Sequence, residues 1–343
     1  MKYNPEMPSA TYDVADAEAI SRSVIPGKLA GEQGMHFDSA EDASIFFARE
    51  LDFVKAKSYD VQYPELTAEK HFPVSHEVNP GAESITYYGY EKTGFAKIIS
   101  NYASDLPRAD VKGKPNTVQI KSIGDSYGYS MQDMRASRMA GKSLDSRRGE
   151  SAKYQIDRKA NDIAWGGDKE TGLIGVLSTE NNVPVFSAGK AASDGNSTLW
   201  KNKTVDEIIA DISGALAQMA TTTQNVEVPD TLLLPPSVII DLTSKRIPGT
   251  AVTLLQYIKD AFPDLTIDKA NELEAGSGAT NPYKKNVALL YKKDPSKFTI
   301  EIPLSFYQYT AQPKGLEIEI PCEERHAGAI IYYPMSLMVI PGI

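Results

Sequence analysis

The chain is poor in the groups that most enzyme classes depend on. It has one cysteine, Cys322, which excludes an intramolecular disulfide and fits a reducing compartment. Histidines number four and tryptophans two. The sequence contains neither a G-x-S-x-G elbow nor a G-x-G-x-x-G dinucleotide loop. No run approaches the roughly 18 apolar residues that a membrane-spanning helix needs. The opening MKYNPEMPSATYDVADAEAI has one early lysine, several acids and no apolar stretch, so a secretory signal is not expected. Basic charge is also in deficit, with 36 Lys and Arg against 45 Asp and Glu and a net charge of -9 over 343 residues. Gripping nucleic acid scales with basic contacts, so tight DNA or RNA binding by the whole chain is disfavoured. Enclosing nucleic acid without holding it tightly remains compatible.

What is present is an ordinary globular balance, 41% hydrophobic and 24% charged, distributed unevenly. Residues 1 to about 60 carry Pro5, Pro8, Pro26, Gly27, Gly31 and Gly34 in a polar segment that cannot build a core alone. One short helix is expected from Ser39, with Glu41 and Asp42 in its first turn and Ile45, Phe46, Phe47, Leu51 and Phe53 after them. From Ser84 to Tyr129 the character becomes β. SITYYGYEKTGFAKIIS and NTVQIKSIGDSYGYS are rich in Tyr, Ile, Val and Thr and read as two long strands. The polar NYASDLPRADVKGKPN between them reads as an extended loop. A hairpin of this length is marginal in water and is expected to find its burial on another chain.

Met131 to Leu177 is long, polar and largely helix-compatible, ending in an abrupt glycine stop. Only Met131, Met134, Leu144, Ile156, Ala160 and Ile163 recur on one side. A core helix carries an apolar face of about 100° or more, so this one reads as a rod lying on a surface with one narrow packed seam. After GLIGVL, Thr204 and Glu207 form a capping-box pair. Val205, Ile208, Ile209, Ile212, Leu216 and Met219 then fall on one helical face. TLLLPP reads as a short buried strand, with Pro236 starting a helix through SVIIDLTSK. VTLLQYIKDAF is a further helix, and strands are expected at LTID, NVALLYKK, FTIEIPLSFYQY, LEIEIP and AIIYYPMSLMVI. The irregular interleaving makes the fold α+β.

Three constellations invite chemistry, and each has a plainer reading. Ala136 to Ser143 (ASRMAGKS) satisfies a relaxed phosphate-loop pattern, and Asp241 after Val238–Ile240 mimics a metal-holding aspartate. A nucleotide hydrolase using Lys142, Ser143 and Asp241 would need a strand before the loop and a helix after it. The flanking residues look helical and polar, so the match is read as a chance one inside a solvated helix, with Asp241 a surface acid. His71 and His76 are separated by Pro73 and do not have the i, i+4 geometry of helical zinc pairs. Cys322 and His326 flank Glu323, Glu324 and Arg325 in PCEERHAG, read as a turn. A Cys–His nucleophile there lacks a third group, and neighbouring acids would raise the thiol pKa. No catalytic, cofactor or metal residue is predicted.

Taken in order, the layout resembles the major capsid proteins of tailed bacteriophages, the Hong Kong ninety-seven fold. The likeness is carried by the rod ending IDRKANDIAWGGDKETGLIGVL with Ile156, Asp157, Ala160, Gly167, Asp168 and Gly172–Val176, by TLLLPPSVIIDL, and by EERHAGAIIYYPMSLMVI. It implies an N-terminal arm (1–65), the start of a peripheral domain (66–83), an extended β-hairpin loop (84–129) and a spine helix (130–170). An axial domain (171–300) and closing strands of both domains (301–343) would complete the chain. The implied role is a non-enzymatic subunit that assembles with itself into pentamers and hexamers. Its icosahedral shell would enclose double-stranded DNA in the virion after assembly in the host bacterial cytoplasm. Portal, scaffolding and decoration proteins are the expected further partners, with no membrane and no cofactor. In some relatives a loop lysine bonds covalently to a neighbour's asparagine. Lys112 and Lys114 lie on the corresponding loop, but no acceptor is identified and the bond is not predicted. An encapsulin-type compartment shell has a similar layout and is the near alternative.

Overall fold

The computed structural model describes residues 61–94, 96, 98, 108–140, 146–193 and 195–343. The expected arm and its helix from Ser39 lie outside the described residues, as do Gly141 to Asp145. The unit Pro64–Ile343 opens with α1 (Ala68–His71), β1 (Val74–Ser75) and three ten-residue strands, β2 (Ser84–Thr93), β3 (Asp110–Gln119) and β4 (Lys121–Ser130). Two helices, α2 (Met131–Ala140) and α3 (Arg147–Gly166), are followed by α4 (Val205–Thr223). Next come β5 (Thr231–Leu234), α5 (Pro236–Ser244), α6 (Leu254–Ala261), β6 (Thr266–Lys269) and β7 (Val287–Tyr291). The chain closes with β8 (Phe298–Glu301), β9 (Leu304–Gln308), β10 (Gln312–Lys314), β11 (Glu317–His326), β12 (Gly328–Ile331) and β13 (Leu337–Pro341).

A mixed sheet in the order β13-β7-β5-β6 forms the centre. Because side chains alternate along a strand, its apolar runs serve two cores. Leu233, Leu289, Tyr291 and Val339 face one side, where Phe72, Trp165, Phe298, Ile300 and Ile331 pack on them. Leu232, Leu234, Ala288, Leu290, Met338 and Ile340 face the other. There α4 (Ile208, Ile212, Met219), α5 (Val238, Leu242) and α6 (Leu254, Ile258) cover them. A strand buried on both faces reads as a continuous apolar run, which is why TLLL and VALLY show no alternation. The predicted capping box on α4 is present: the Glu207 amide donates to the Thr204 hydroxyl, and the Thr204 amide donates to the Glu207 carboxylate.

The rod departs from a single helix, appearing as α2 and α3 on either side of the residues not described. Of the predicted seam, Ile156, Ala160 and Ile163 are buried, together with Ala152, Ala164 and Trp165. At its end Gly167 has φ 75°, a left-handed conformation that glycine adopts freely. The chain then folds back on the helix, with Val176 N donating to Ala164 O at 2.9 Å and Leu177 N to Trp165 O at 2.8 Å. Gly175 makes this approach possible, since a Cβ there would lie 2.3 Å from Gly167 N and 2.6 Å from Trp165 O.

Five strand readings need correction. Residues 110–116, read as loop, belong to β3, so the second arm of the hairpin begins earlier than the sequence suggested. The strand expected after it is in fact two strands with different partners. β3 pairs with β2 from Ser84↔Gln119 to Thr93↔Asp110, whereas β4 pairs with β11. The switch occurs at buried Ile120, whose amide donates to Glu83 O at 2.9 Å; there the sheltered side of the chain shifts from Asn116, Val118 and Ile120 to Ile123, Tyr127 and Tyr129, a change of strand parity. PCEERH is strand rather than turn: β11 is paired with β4 on one edge and with β9 and β10 on the other. Pro321 is tolerated because its nitrogen and carbonyl face the gap between β10 and β9, where its carbonyl accepts from Tyr309 N at 2.9 Å. FTIEIPLSFYQY and AIIYYPMSLMVI are likewise divided, at Pro303 and Pro334, since proline interrupts a pairing ladder.

Candidate assembly surfaces

The β2–β3 hairpin is the most conspicuous surface. It forms a sheet of only two strands, roughly 33 Å long at about 3.3 Å per residue. Its base is seated: Ile85, Tyr87, Asn116 and Val118 are half-buried, and the Tyr87 ring meets Tyr332 edge-on at 5.2 Å. Its outer half, Tyr88–Lys92 with Asp110–Pro115, is exposed. Tyr88 and Tyr90 stack on each other at 6.4 Å and remain 62% and 71% exposed. Between hairpin and body runs a groove of about 810 Å³ lined by Tyr87, Tyr90, Tyr332, Tyr333, Lys112 and Lys114. Unpaired strand edges and exposed aromatics together suit a surface completed by another chain.

Two buried polar networks tie other parts of the chain together. Asn161 of α3 accepts from the amides of Thr67 (3.1 Å) and Ala68 (2.9 Å) and donates to Glu272 at 2.9 Å, while Thr67 Oγ1 donates to Glu272 at 2.6 Å. This buried network fixes residue 67 against the rod. A second one centres on Asp211 of α4, whose carboxylate pairs with buried Lys203 and accepts from Trp200 Nε1 (2.9 Å) and Gly189 N (2.8 Å).

Among the described residues, those singled out for chemistry are engaged in other ways. Ala136–Ala140, the first five of the phosphate-loop match, are α-helical in α2, so their amides are committed to a helix and cannot cradle phosphate. Gly141, Lys142 and Ser143 lie outside the described residues. Asp241 is on α5, as the Pro236 start implied, and half-buried. His71 Nε2 donates to Lys269 O at 3.1 Å, and burial lowers its pKa; His76 Nδ1 donates to Ile302 O at 2.8 Å. Cys322 and His326 share one face of β11 and are buried. Their polar partners differ: Cys322 Sγ lies 3.9 Å from Ile320 O, and His326 Nδ1 accepts from Gly328 N at 2.8 Å. Burial pushes the thiol pKa up, with Asp125 adding to it, and drives His326 down to about 4. A protonated thiol beside a neutral imidazole engaged elsewhere is structural. Lys112 and Lys114 stand on β3, in the exposed outer half.

One arrangement escaped the sequence reading. Glu324, between Cys322 and His326 on the same strand face, is 4% exposed and lines a cavity of about 360 Å³ beneath α3 together with Asp157 and Glu69. Burial raises the Glu324 pKa to about 7, with Asp157 and Glu69 adding to it. Strand parity from Cys322 and His326 would have found it, had PCEERH been read as strand. Among the described residues no group of three or more His, Cys, Asp or Glu is arranged to hold a metal ion, and no helix is long and apolar enough to cross a membrane.

Comparison with known proteins bears on these surfaces. A family model described as "Major capsid protein" matches residues 94–343. The fold is similar to the capsid of Myoviridae phage XM1, with a TM-score of 0.71 at 16% identity, covering 88% of this chain and 100% of that one. It is also similar to the structure of Mycobacterium phage Bobi (TM-score 0.55, 15% identity, 84% of this chain and 95% of that one). The capsid of an empty GTA particle matches at 0.58 and 11% identity, over 89% of this chain and 99% of that one. No curated protein sequence matches significantly.

Proposed function

The chain belongs to the major capsid protein family, and from that premise we propose that it assembles through pentamers and hexamers into an icosahedral shell around the double-stranded DNA of a tailed phage. The observation that carries this reading is the hairpin, two strands held at the base and bare beyond it, with stacked tyrosines at the bare end. A shell is built from heterologous contacts in which each patch meets a different patch on the next copy. A projecting element without a core of its own gains its burial from such a neighbour.

We assign 84–119 as the hairpin that reaches a neighbour and α2 with α3 as the spine. The sheet β13-β7-β5-β6 with α4, α5 and α6 becomes the axial part. The separate packing of the two faces of that sheet supports the division. The role is read as structural rather than catalytic, supported by the helical state of Ala136–Ala140 and the divergent partners of Cys322 and His326. Assembly in the host cytoplasm, with portal, scaffolding and decoration proteins as further partners, completes the proposal. Sedimentation velocity and negative-stain microscopy of the overexpressed full chain test it. Rings of five or six copies, or closed round particles, are the expected result; a monomer at every concentration overturns it.

A further inference from the structure

We propose that the cavity beneath α3, walled by Glu69, Asp157 and Glu324, is a binding site for an alkylammonium ion, with its charged head among the carboxylates and its aliphatic stem against Phe306 and Ile302. The cavity holds about 360 Å³, room for roughly twelve waters at about 30 Å³ each. Exposure falls from Glu69 through half-buried Asp157 to Glu324, which is only 4% exposed. Among the described residues, no hydrogen bond or ion pair reaches the Glu324 carboxyl. A buried carboxylate ordinarily has a partner, and an empty place for one is an opening for a cation.

The cation already on the wall does not fill that place. Lys153 of α3 sits over the Phe306 ring, 5.9 Å from its centroid, and its charge offsets only part of the burial of Asp157 and Glu324, both of which stay raised. Of the histidines facing the cavity, His326 is held neutral by burial, and the Nδ1 of His76 is turned to Ile302 O. The lining therefore sums to an excess of acid. A metal ion fits poorly, because no three of these ligand types are arranged around one point among the described residues. A primary ammonium needs only one or two carboxylates within reach, its remaining N–H bonds going to water, and its stem suits the apolar walls. The source is either a free amine or a lysine side chain of a second copy.

Putrescine is the probe, measured by isothermal titration calorimetry on unassembled subunits at pH 8 and constant ionic strength, with tetramethylammonium as the control. The expected result is saturable binding of putrescine, weakened about tenfold or more in Glu324→Gln and in Asp157→Asn. Tetramethylammonium, which cannot donate, should not compete. At pH 7 binding should release a fraction of a proton, seen as a heat that depends on the buffer's ionisation enthalpy, because the cation restores Glu324 to its charged form. The same titration on assembled shells identifies the source: binding in both forms marks a free amine, and binding in subunits alone marks a lysine from a neighbour. Failure to saturate in subunits, or equal affinity in wild type and Glu324→Gln, overturns the proposal. Because the decisive arm uses single subunits, that failure leaves the shell reading intact.

Discussion

Replacing Tyr88 and Tyr90 together by serine should separate folding from assembly. A fully buried aromatic covers about 150–250 Å². With 62% and 71% of the two residues exposed, roughly 270 Å² is left for a neighbour at about 200 Å² each. At about 25 cal/mol per Å² this is worth up to ~7 kcal/mol per contact. Ordering the hairpin and desolvating its polar groups offsets more than half, leaving about 2–3 kcal/mol. Each 1.4 kcal/mol is about tenfold, so the threshold concentration for assembly should rise roughly 30- to 150-fold. Light scattering against protein concentration reads that threshold. The subunit itself should lose no more than about 0.5 kcal/mol in urea, as exposed substitutions generally do. A threshold unchanged within about twofold would refute the role given to the hairpin, and so would a double variant that fails to fold.

Buried features make further consequences measurable. Asp211→Ala strands Lys203 and Trp200 Nε1 without their acceptor and should cost about 3–5 kcal/mol in subunit urea unfolding. Adding Lys203→Met should recover part of that loss; an unchanged deficit would mean the pair is not the cause. Gly175→Ala places a Cβ against the backbone of Gly167 and Trp165 and should destabilise by about 1–3 kcal/mol or more. A silent substitution would show that the junction is looser than described. Glu324 has a folded pKa of about 7 against an ordinary 4.5, so its contribution is fully present below pH 4.5 and lost as pH rises through 7. His326, held at about 4 against 6.5, acts with the opposite sign, its contribution present above 6.5 and lost as pH falls through 4. The difference between wild type and Glu324→Gln isolates the first effect, expected at about 2 kcal/mol between pH 4.5 and 7 after allowing for water in the cavity. A difference that does not vary with pH would contradict the burial of Glu324.

Local signals were legible wherever the physics is local. The Thr204–Glu207 capping box, the Pro236 helix start and the glycine stop at Gly167 all stand where sequence reasoning put them. Each is decided within a few residues, by a cap, a fixed φ or a missing Cβ. Partner exchange was not legible. Its one trace around Ile120 is the three-residue step to Ile123 in an otherwise alternating run, and that step does not say which strand lies alongside. Charge misled at PCEERH, where a cluster that looks like a turn is held in a strand by neighbours from β4 and β9. The same misreading hid Glu324, whose burial depends on α1 and α3 lying across the strand face. The bareness of the hairpin was visible, since a polar, tyrosine-rich pair of strands offers no core of its own, and its need for a partner is inferred from that.

Cryo-electron microscopy of the assembled shell is the most direct test of that need. The expected map shows β2 and β3 laid against a neighbouring subunit with Tyr88 and Tyr90 covered. A shell in which both faces of the outer hairpin stand free in solvent would contradict it.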